Sequence, residues 1–391
     1  MLDRTAGAMA TSDRIRRDIP ALTSIRFLAA FYVVLHHTAP ASVRSHPALD
    51  HFLLNGDSAV EMFFFLSGFI LTYTNSGQDP VSPRRFYYLR FSRIYPVYLL
   101  GLILYFPAIF HNLTTLHASA WAVWSRIAIY GTAAGLLIQA WVPKWALAWN
   151  GPGWSLSAEA FFYALFPFAL SWIRRASTKT LLLAWPVLWV WSVAPVLLYS
   201  SLPPDIQNRY WVPYLLEFNP LLRLPEFLGG MIAATFMLSM DQRRWERADA
   251  GAAIMTAIIV MTDIFASPTV GKFLFFNEFP VFLLLLALSD GVLTRLLSAR
   301  LLVVLGGASY AIYIIHIPLG YFFPVAQGPV VTAQGADAGS GGLLPMQEYP
   351  FYLVALVSAS VLLFKYFELP ISRALRSRTQ APAANATPAR I

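Results

Sequence analysis

Long apolar stretches recur along the whole chain, each bounded by polar or basic residues. Eleven can be drawn: 21–39, 58–75, 93–112, 121–141, 154–173, 181–200, 221–238, 250–266, 273–289, 301–323 and 349–367. A helix rises about 1.5 Å per residue, so roughly 17–25 residues cross the apolar core of a bilayer. Stretches of this length predict spanning helices, because a helix satisfies its own backbone hydrogen bonds where no water can. Segment 121–141 is the weakest, interrupted by Arg126, Gly131 and Gly135.

Basic residues set the direction of crossing, since Lys and Arg concentrate in short cytoplasmic loops. Arg14, Arg16 and Arg17 precede the first segment, and Arg84, Arg85, Arg90 and Arg93 follow the second. Arg174, Arg175 and Lys179 follow the fifth, and Arg243, Arg244 and Arg247 the seventh. Arg295 and Arg300 follow the ninth, and Arg373, Arg376 and Arg378 the last. Eleven crossings cannot place all of these clusters on one side. Ten can, if 121–141 re-enters or lies along the outer surface.

The sequence therefore predicts an all-α fold, a polytopic transmembrane helix bundle of about ten spanning helices plus a re-entrant or interfacial segment. Both termini are expected in the cytoplasm, with loops 40–57, 113–153, 201–220 and 324–348 outside. Residues 1–20 are expected to form a cytoplasmic segment, 21–370 the membrane domain, and 371–391 a basic, Ala/Pro-rich tail without fixed structure. The first twenty residues lack the apolar core and cleavage site of a secretory signal, so the first span is expected to stay as an anchor.

Composition agrees. Of 391 residues, 57% are hydrophobic and 12% charged, against about one-quarter charged in a soluble domain. The net charge of +8 lies between the spans, where it serves topology. It implies a lipid bilayer as partner and no nucleic acid. The absence of cysteine excludes disulfides, thiolate metal sites and a Cys nucleophile, and no metal is expected.

Within this apolar background a few ionisable groups stand out. Arg26 and His37 are eleven residues apart on the first segment. That is about three helical turns, so both project from nearly one face, separated by about 16 Å along the axis. His36 points roughly 100° away. Charge facing lipid is expensive, so such a stripe is expected to face the bundle interior. Its plain alternative is an arginine snorkelling to headgroups below histidines that mark the opposite interface.

Glu61, on the second segment, falls at the depth of His37, where a carboxylate would orient an imidazole. Ser67 and Gly68 lie deeper, suited to close helix packing. Arg90 and Arg93 are i and i+3, neighbours able to grip a phosphate together. Glu159, Arg223, Glu226 and His316 fall at similar outer depth on other segments. Each alone fits a structural hydrogen bond, whereas several at one depth favour a site. Trp154 and the tryptophans and tyrosines of the outer loops suit either sugar stacking or an interfacial aromatic belt.

These same residues carry a resemblance. LTSIRFLAAFYVVLHH, VEMFFFLSGFIL, FYYLRFSRIYPVYLL, WSLSAEAFFYALFP, RLPEFLGGM, LGGASYAIYIIHIPL and KYFELPISRAL resemble, in order, the blocks of the acyltransferase family 3. This is a family of bacterial integral membrane acyltransferases. Arg26 and His37 fit the family's Arg, ten residues, His pattern, and Arg90 and Arg93 its Arg-x-x-Arg segment. Glu61 stands where Asp is more usual.

The resemblance implies transfer of an acyl group, usually acetyl, from acyl-CoA to a hydroxyl of a sugar, a glycan or a secreted small molecule. It implies a bacterial inner-membrane location. It implies His37 as the catalytic residue and Arg90 and Arg93 on the CoA side. The expected catalytic set is His37, Glu61 and Glu159. Arg26, Arg85, Arg90 and Arg93 are expected to bind the co-substrate, and His316, Glu226 and Trp154 the acceptor. The competing class is a transporter relaying protons or substrate through intramembrane Arg, Glu and His, for which two related halves would be expected. A haem-binding electron carrier would need paired histidines on facing helices, at a spacing the sequence does not offer.

Overall fold

Proline and serine open many of the helices. Pro20 starts α1 (Pro20–Thr38), at a position where its missing N–H would be unpaired anyway. The chain continues through α2 (Ser58–Asn75), α3 (Pro83–Thr115), α4 (Ala120–Gly135) and α5 (Gly153–Arg175). Next come α6 (Thr178–Ser201), α7 (Leu224–Ser239), α8 (Glu246–Phe265) and α9 (Pro268–Leu288). The last are α10 (Arg300–Gly320) and α11 (Tyr349–Leu363), the latter continuing through a π-helical turn, Phe364–Glu368, to Thr379. Ser119, Ser177 and Ser267 cap α4, α6 and α9, each accepting a backbone N–H from three residues ahead. This computed structural model describes residues 19–77, 82–115, 119–240, 246–323 and 345–379.

The eleven helices coincide with the eleven apolar segments. Eight stretches are long and apolar enough to cross a bilayer among the described residues: Pro47–Asn75, Pro83–Thr115, Gly153–Arg175, Thr178–Ser201, Arg247–Phe265, Thr269–Leu288, Arg300–Gly320 and Tyr349–Leu375. The apolar α7 is shorter. The 19-residue α1 carries Arg26, His36 and His37, which lower its hydropathy. Together these account for ten. The remaining helix, α4, has 16 residues, about 24 Å of length against a core of roughly 30 Å. Arg14, Arg16, Arg17, Arg243, Arg244, most of loop 324–348 and residues 380–391 lie outside the described residues. The last helix runs past the expected boundary at 370.

Two parts of the fold position the interior. The first is the crossing of α2 and α7. A Cβ on Gly68 would run into the carbonyl of Phe227, and a Cβ on Gly230 into the carbonyl of Phe65. The contact is reciprocal, so both backbones approach as closely as glycine permits. The second is the crossing of α1 and α10, where Gly306 lies against the Thr23 carbonyl in the same way. These contacts bury one face of α1 between α2 and α10.

The stretch 40–57, expected as a loop, contains two short helices, Ala41–Arg44 and Pro47–Leu54. Pro47 and Asp50, both in the first turn, are ordinary helix-starting residues. This stretch folds onto the end of α1. Tyr32 donates to the Phe52 carbonyl and His36 Nδ1 to the Leu53 carbonyl, the latter at 2.5 Å.

Candidate active site

Arg26 on α1, Arg90 and Arg93 on α3, and Glu159 and Tyr163 on α5 line one cavity of about 90 Å³, room for several water-sized groups. Phe63 and Ser67 of α2 and Ser309, Tyr310 and Tyr313 of α10 complete its walls. Glu159 accepts hydrogen bonds from Ser67, at 2.9 Å, and from Tyr163. No hydrogen bond or ion pair to Arg26 or Arg93 occurs among the described residues, and the Arg90 guanidinium lies 5.6 Å from the Phe86 ring centroid. Three guanidiniums thus face one carboxylate in this cavity. Glu368, on the π-helical turn and 5% exposed, lies within Coulombic reach of Arg93 and Arg26. Arg85 is exposed at the start of α3 and does not reach the cavity.

Ser67 was expected to serve close helix packing. It instead holds Glu159 across the helix interface. Gly68 serves close packing as expected.

Glu61, Glu226 and Trp154 converge on Arg223, not on His37 or the cavity. Arg223 Nη1 lies 3.1 Å from Glu61 Oε1 and 3.7 Å from Glu226 Oε1. Its Nε donates to the Glu217 carbonyl at 2.6 Å, and its guanidinium stands 5.9 Å from the Trp154 ring. Ser192 donates to Glu226 at 2.9 Å. On the short helix Trp211–Phe218 beside this cluster, burial raises the Glu217 carboxyl above its usual range, and Asp57 adds to the rise. Trp154 is 7% exposed and packs on Phe218 and Phe64, which leaves no open ring face for a sugar. A buried carboxylate takes the best available cation. That cation is 162 residues away in sequence, beyond any argument from depth on one helix.

Removing Arg223 would strand two buried carboxylates. Arg223→Leu is expected to cost about 3–5 kcal/mol of stability, read as a lowered unfolding midpoint of the purified protein. An unchanged midpoint would show that the carboxylates have other partners.

His37 lies at the other end of α1 from Arg26. Its Nδ1 is 3.2 Å from Nε2 of His316, and the two rings stack with centroids 5.2 Å apart. His316 is fully buried. Its Nδ1 is 2.7 Å from the Tyr313 carbonyl, and its own carbonyl accepts from Tyr352 at 2.9 Å. The His36 ring stands 4.8 Å from His37. Neither Glu61 nor Glu159 is bonded to His37 among the described residues. Tyr313 belongs to both regions: its ring lines the cavity and lies 6.1 Å from the His316 ring. Pro318 removes a helical donor from α10, and Asn150 Nδ2 supplies one to the Ile314 carbonyl at 2.9 Å.

Residues 19–365 match the acyltransferase domain of acyltransferase family 3. The chain belongs to this family. As a family 3 membrane acyltransferase it is 28% identical over 375 residues to the acyltransferase MdmB of Streptomyces mycarofaciens, covering 92% of this chain and 93% of that protein. No solved structure matches the chain. Membership in an acyltransferase family answers the competing transporter reading. Among groups at the site, the sequence singled out Arg26, Arg90, Arg93 and Glu159, which the cavity brings together. It did not single out Tyr163, Tyr313 or Glu368. Tyr163 follows Glu159 by one helical turn, a spacing that signals a shared face. Glu368 stands in the KYFELP block, the available signal for it.

Proposed function

We propose that this acyltransferase moves an acyl group, most simply acetyl, from acyl-CoA to a hydroxyl of a sugar, glycan or secreted small molecule. The observation that carries the donor assignment is the gathering of Arg26, Arg90 and Arg93 around one cavity, with Glu159 in its wall and Glu368 within Coulombic reach of Arg93 and Arg26. Guanidiniums gathered inside an apolar bundle repel one another and are costly to desolvate, so the arrangement suits a bound anion. Phosphate is the anion that arginine recognises best, and the phosphates of CoA supply it. Arg84 and Arg85, exposed on the first turn of α3, extend the basic path outward.

The pantetheine arm then runs from the arginines past Tyr313 towards the imidazoles. His37 acts as general base on the acceptor hydroxyl. The hydroxyl oxygen attacks the thioester carbonyl, the C–S bond breaks, and the thiolate takes the proton from His37. Glu159, fixed by Ser67 and Tyr163, orders the arginine cavity. The basic loops support entry of the donor from the cytoplasm and approach of the acceptor from outside, with both termini cytoplasmic in a bacterial inner membrane.

Acetyl-CoA binding to the purified chain in nanodiscs tests the donor assignment. A charge-assisted hydrogen bond contributes about 1.5–3 kcal/mol, so Arg93→Ala and Arg26→Ala are each expected to weaken binding by about 10–100-fold. Unchanged affinity in both variants would remove the CoA assignment from this cavity.

A further inference from the structure

The hydrogen bonds around His316 fix where its proton resides. A peptide carbonyl only accepts, so the contact of 2.7 Å between His316 Nδ1 and the Tyr313 carbonyl requires a proton on Nδ1. A neutral imidazole has a single N–H, so His316 Nε2 is bare. That bare nitrogen faces His37 Nδ1 at 3.2 Å, and the bond exists only if His37 Nδ1 donates; the Val33 carbonyl, one turn back on α1, is a second acceptor for the His37 ring. Its remaining nitrogen, Nε2, then holds a free lone pair. We infer that His316 is a positioning residue, fixing the tautomer of His37 so that Nε2 is the nitrogen that takes the acceptor's proton.

This differs from a Ser–His–Asp triad, where a buried carboxylate holds the imidazole. Here the chain of bonds ends on the carbonyl of Tyr313, and no carboxylate is bonded to either imidazole among the described residues. The groups around the pair include His36, its ring 4.8 Å from His37, Tyr313, its ring 6.1 Å from His316, and Arg44, which donates to the His36 carbonyl. The backbone around His316 is pinned by Tyr352 and by Asn150. During transfer only His37 Nε2 gains and loses a proton: it accepts from the hydroxyl and returns it to the CoA thiolate. His37 Nδ1–H stays bonded to His316 throughout.

The inference rests on His37 as the base, and its test separates the two. Full-length protein labelled with [15N]histidine in lipid bilayers reports each ring nitrogen by magic-angle-spinning NMR. The His37 signals are assigned by their loss in His37→Ala. A free neutral histidine carries its proton mainly on Nε2, so the expected bare Nε2 and protonated Nδ1 are diagnostic. His316→Ala is expected to move the proton of His37 to Nε2. His316→Gln, whose amide oxygen accepts, is expected to keep it on Nδ1.

In membranes supplied with labelled acetyl-CoA, His316→Ala is expected to lower kcat by at least about tenfold, towards the 10⁴-fold that a wrong tautomer costs a triad. The KM for acetyl-CoA should not change, and His316→Gln should recover part of the loss. A proton on Nε2 of His37 in the wild-type chain would overturn the inference, and so would an unchanged tautomer in His316→Ala, which would assign the Nδ1 proton to the Val33 carbonyl. The expected tautomer without any acetyl transfer would uphold the positioning role and defeat the acetyl-CoA reading alone.

Discussion

Replacing His37 by alanine is expected to lower acetyl transfer by about 10²–10⁴-fold, the contribution of a positioned base. Binding of acetyl-CoA to the same variant is expected to match the wild type, because the arginine cavity lies at the other end of α1. His37 does not line that cavity, and its ring contacts are with His36 and His316. The substitution removes half-buried surface and one hydrogen bond, so the fold should survive it. Labelled acetyl-CoA offered to membrane vesicles, with products counted in the glycan and small-molecule fractions, measures the loss. Transfer at the wild-type rate would exclude His37 as the base. Lost binding together with lost transfer would show that the two ends of α1 are not separable.

The largest structural effect is expected at the crossing of α2 and α7. Gly68→Val or Gly230→Val would drive side-chain atoms into a neighbouring backbone carbonyl, which cannot rotate away as a side chain can. Overpacking usually costs about 1–3 kcal/mol and sometimes more. The reciprocal geometry places these two positions at or above that range. Separation of α2 from α7 would also pull Glu61 from Arg223 and Ser67 from Glu159. Poor yield of folded protein and a lower unfolding midpoint are the expected results. Gly77→Ala, where a Cβ meets nothing within 4 Å, is the matched control and should behave as wild type. Equal stability of all three variants would mean that the helices cross less closely than described.

The helices were legible because length and apolar content suffice to mark them. Every one of the eleven segments is a helix, and α4 is short, as its arginine and glycines suggested. The stretch 40–57 was not legible as helix. It is too short to show a periodic apolar face, and its order comes from tertiary bonds to Tyr32 and His36. At the site, Arg26, Arg90, Arg93 and Glu159 were visible because charge within an apolar run is conspicuous. Tyr163, which holds Glu159 together with Ser67, was not.

Glu61 was placed beside His37 from depth alone, yet Arg223 holds it. His316 was expected to touch the acceptor, yet its ring is committed to His37, 279 residues away. Such pairings depend on which helices are neighbours, and no local period encodes that. Glu368 was hidden for another reason: it is buried on a π-helical turn, where a regular 3.6-residue period does not hold.

Arg26 and His37 belong to one unbroken helix, so their spacing is set by covalent backbone and not by how neighbouring helices settle. The first helix acts as a ruler. Adding or deleting one residue between positions 26 and 37 would slide one mark by about 1.5 Å and swing it by roughly 100°, out of register with every contact on that face. Substitutions along this stretch can be absorbed by repacking, whereas changes in its length cannot.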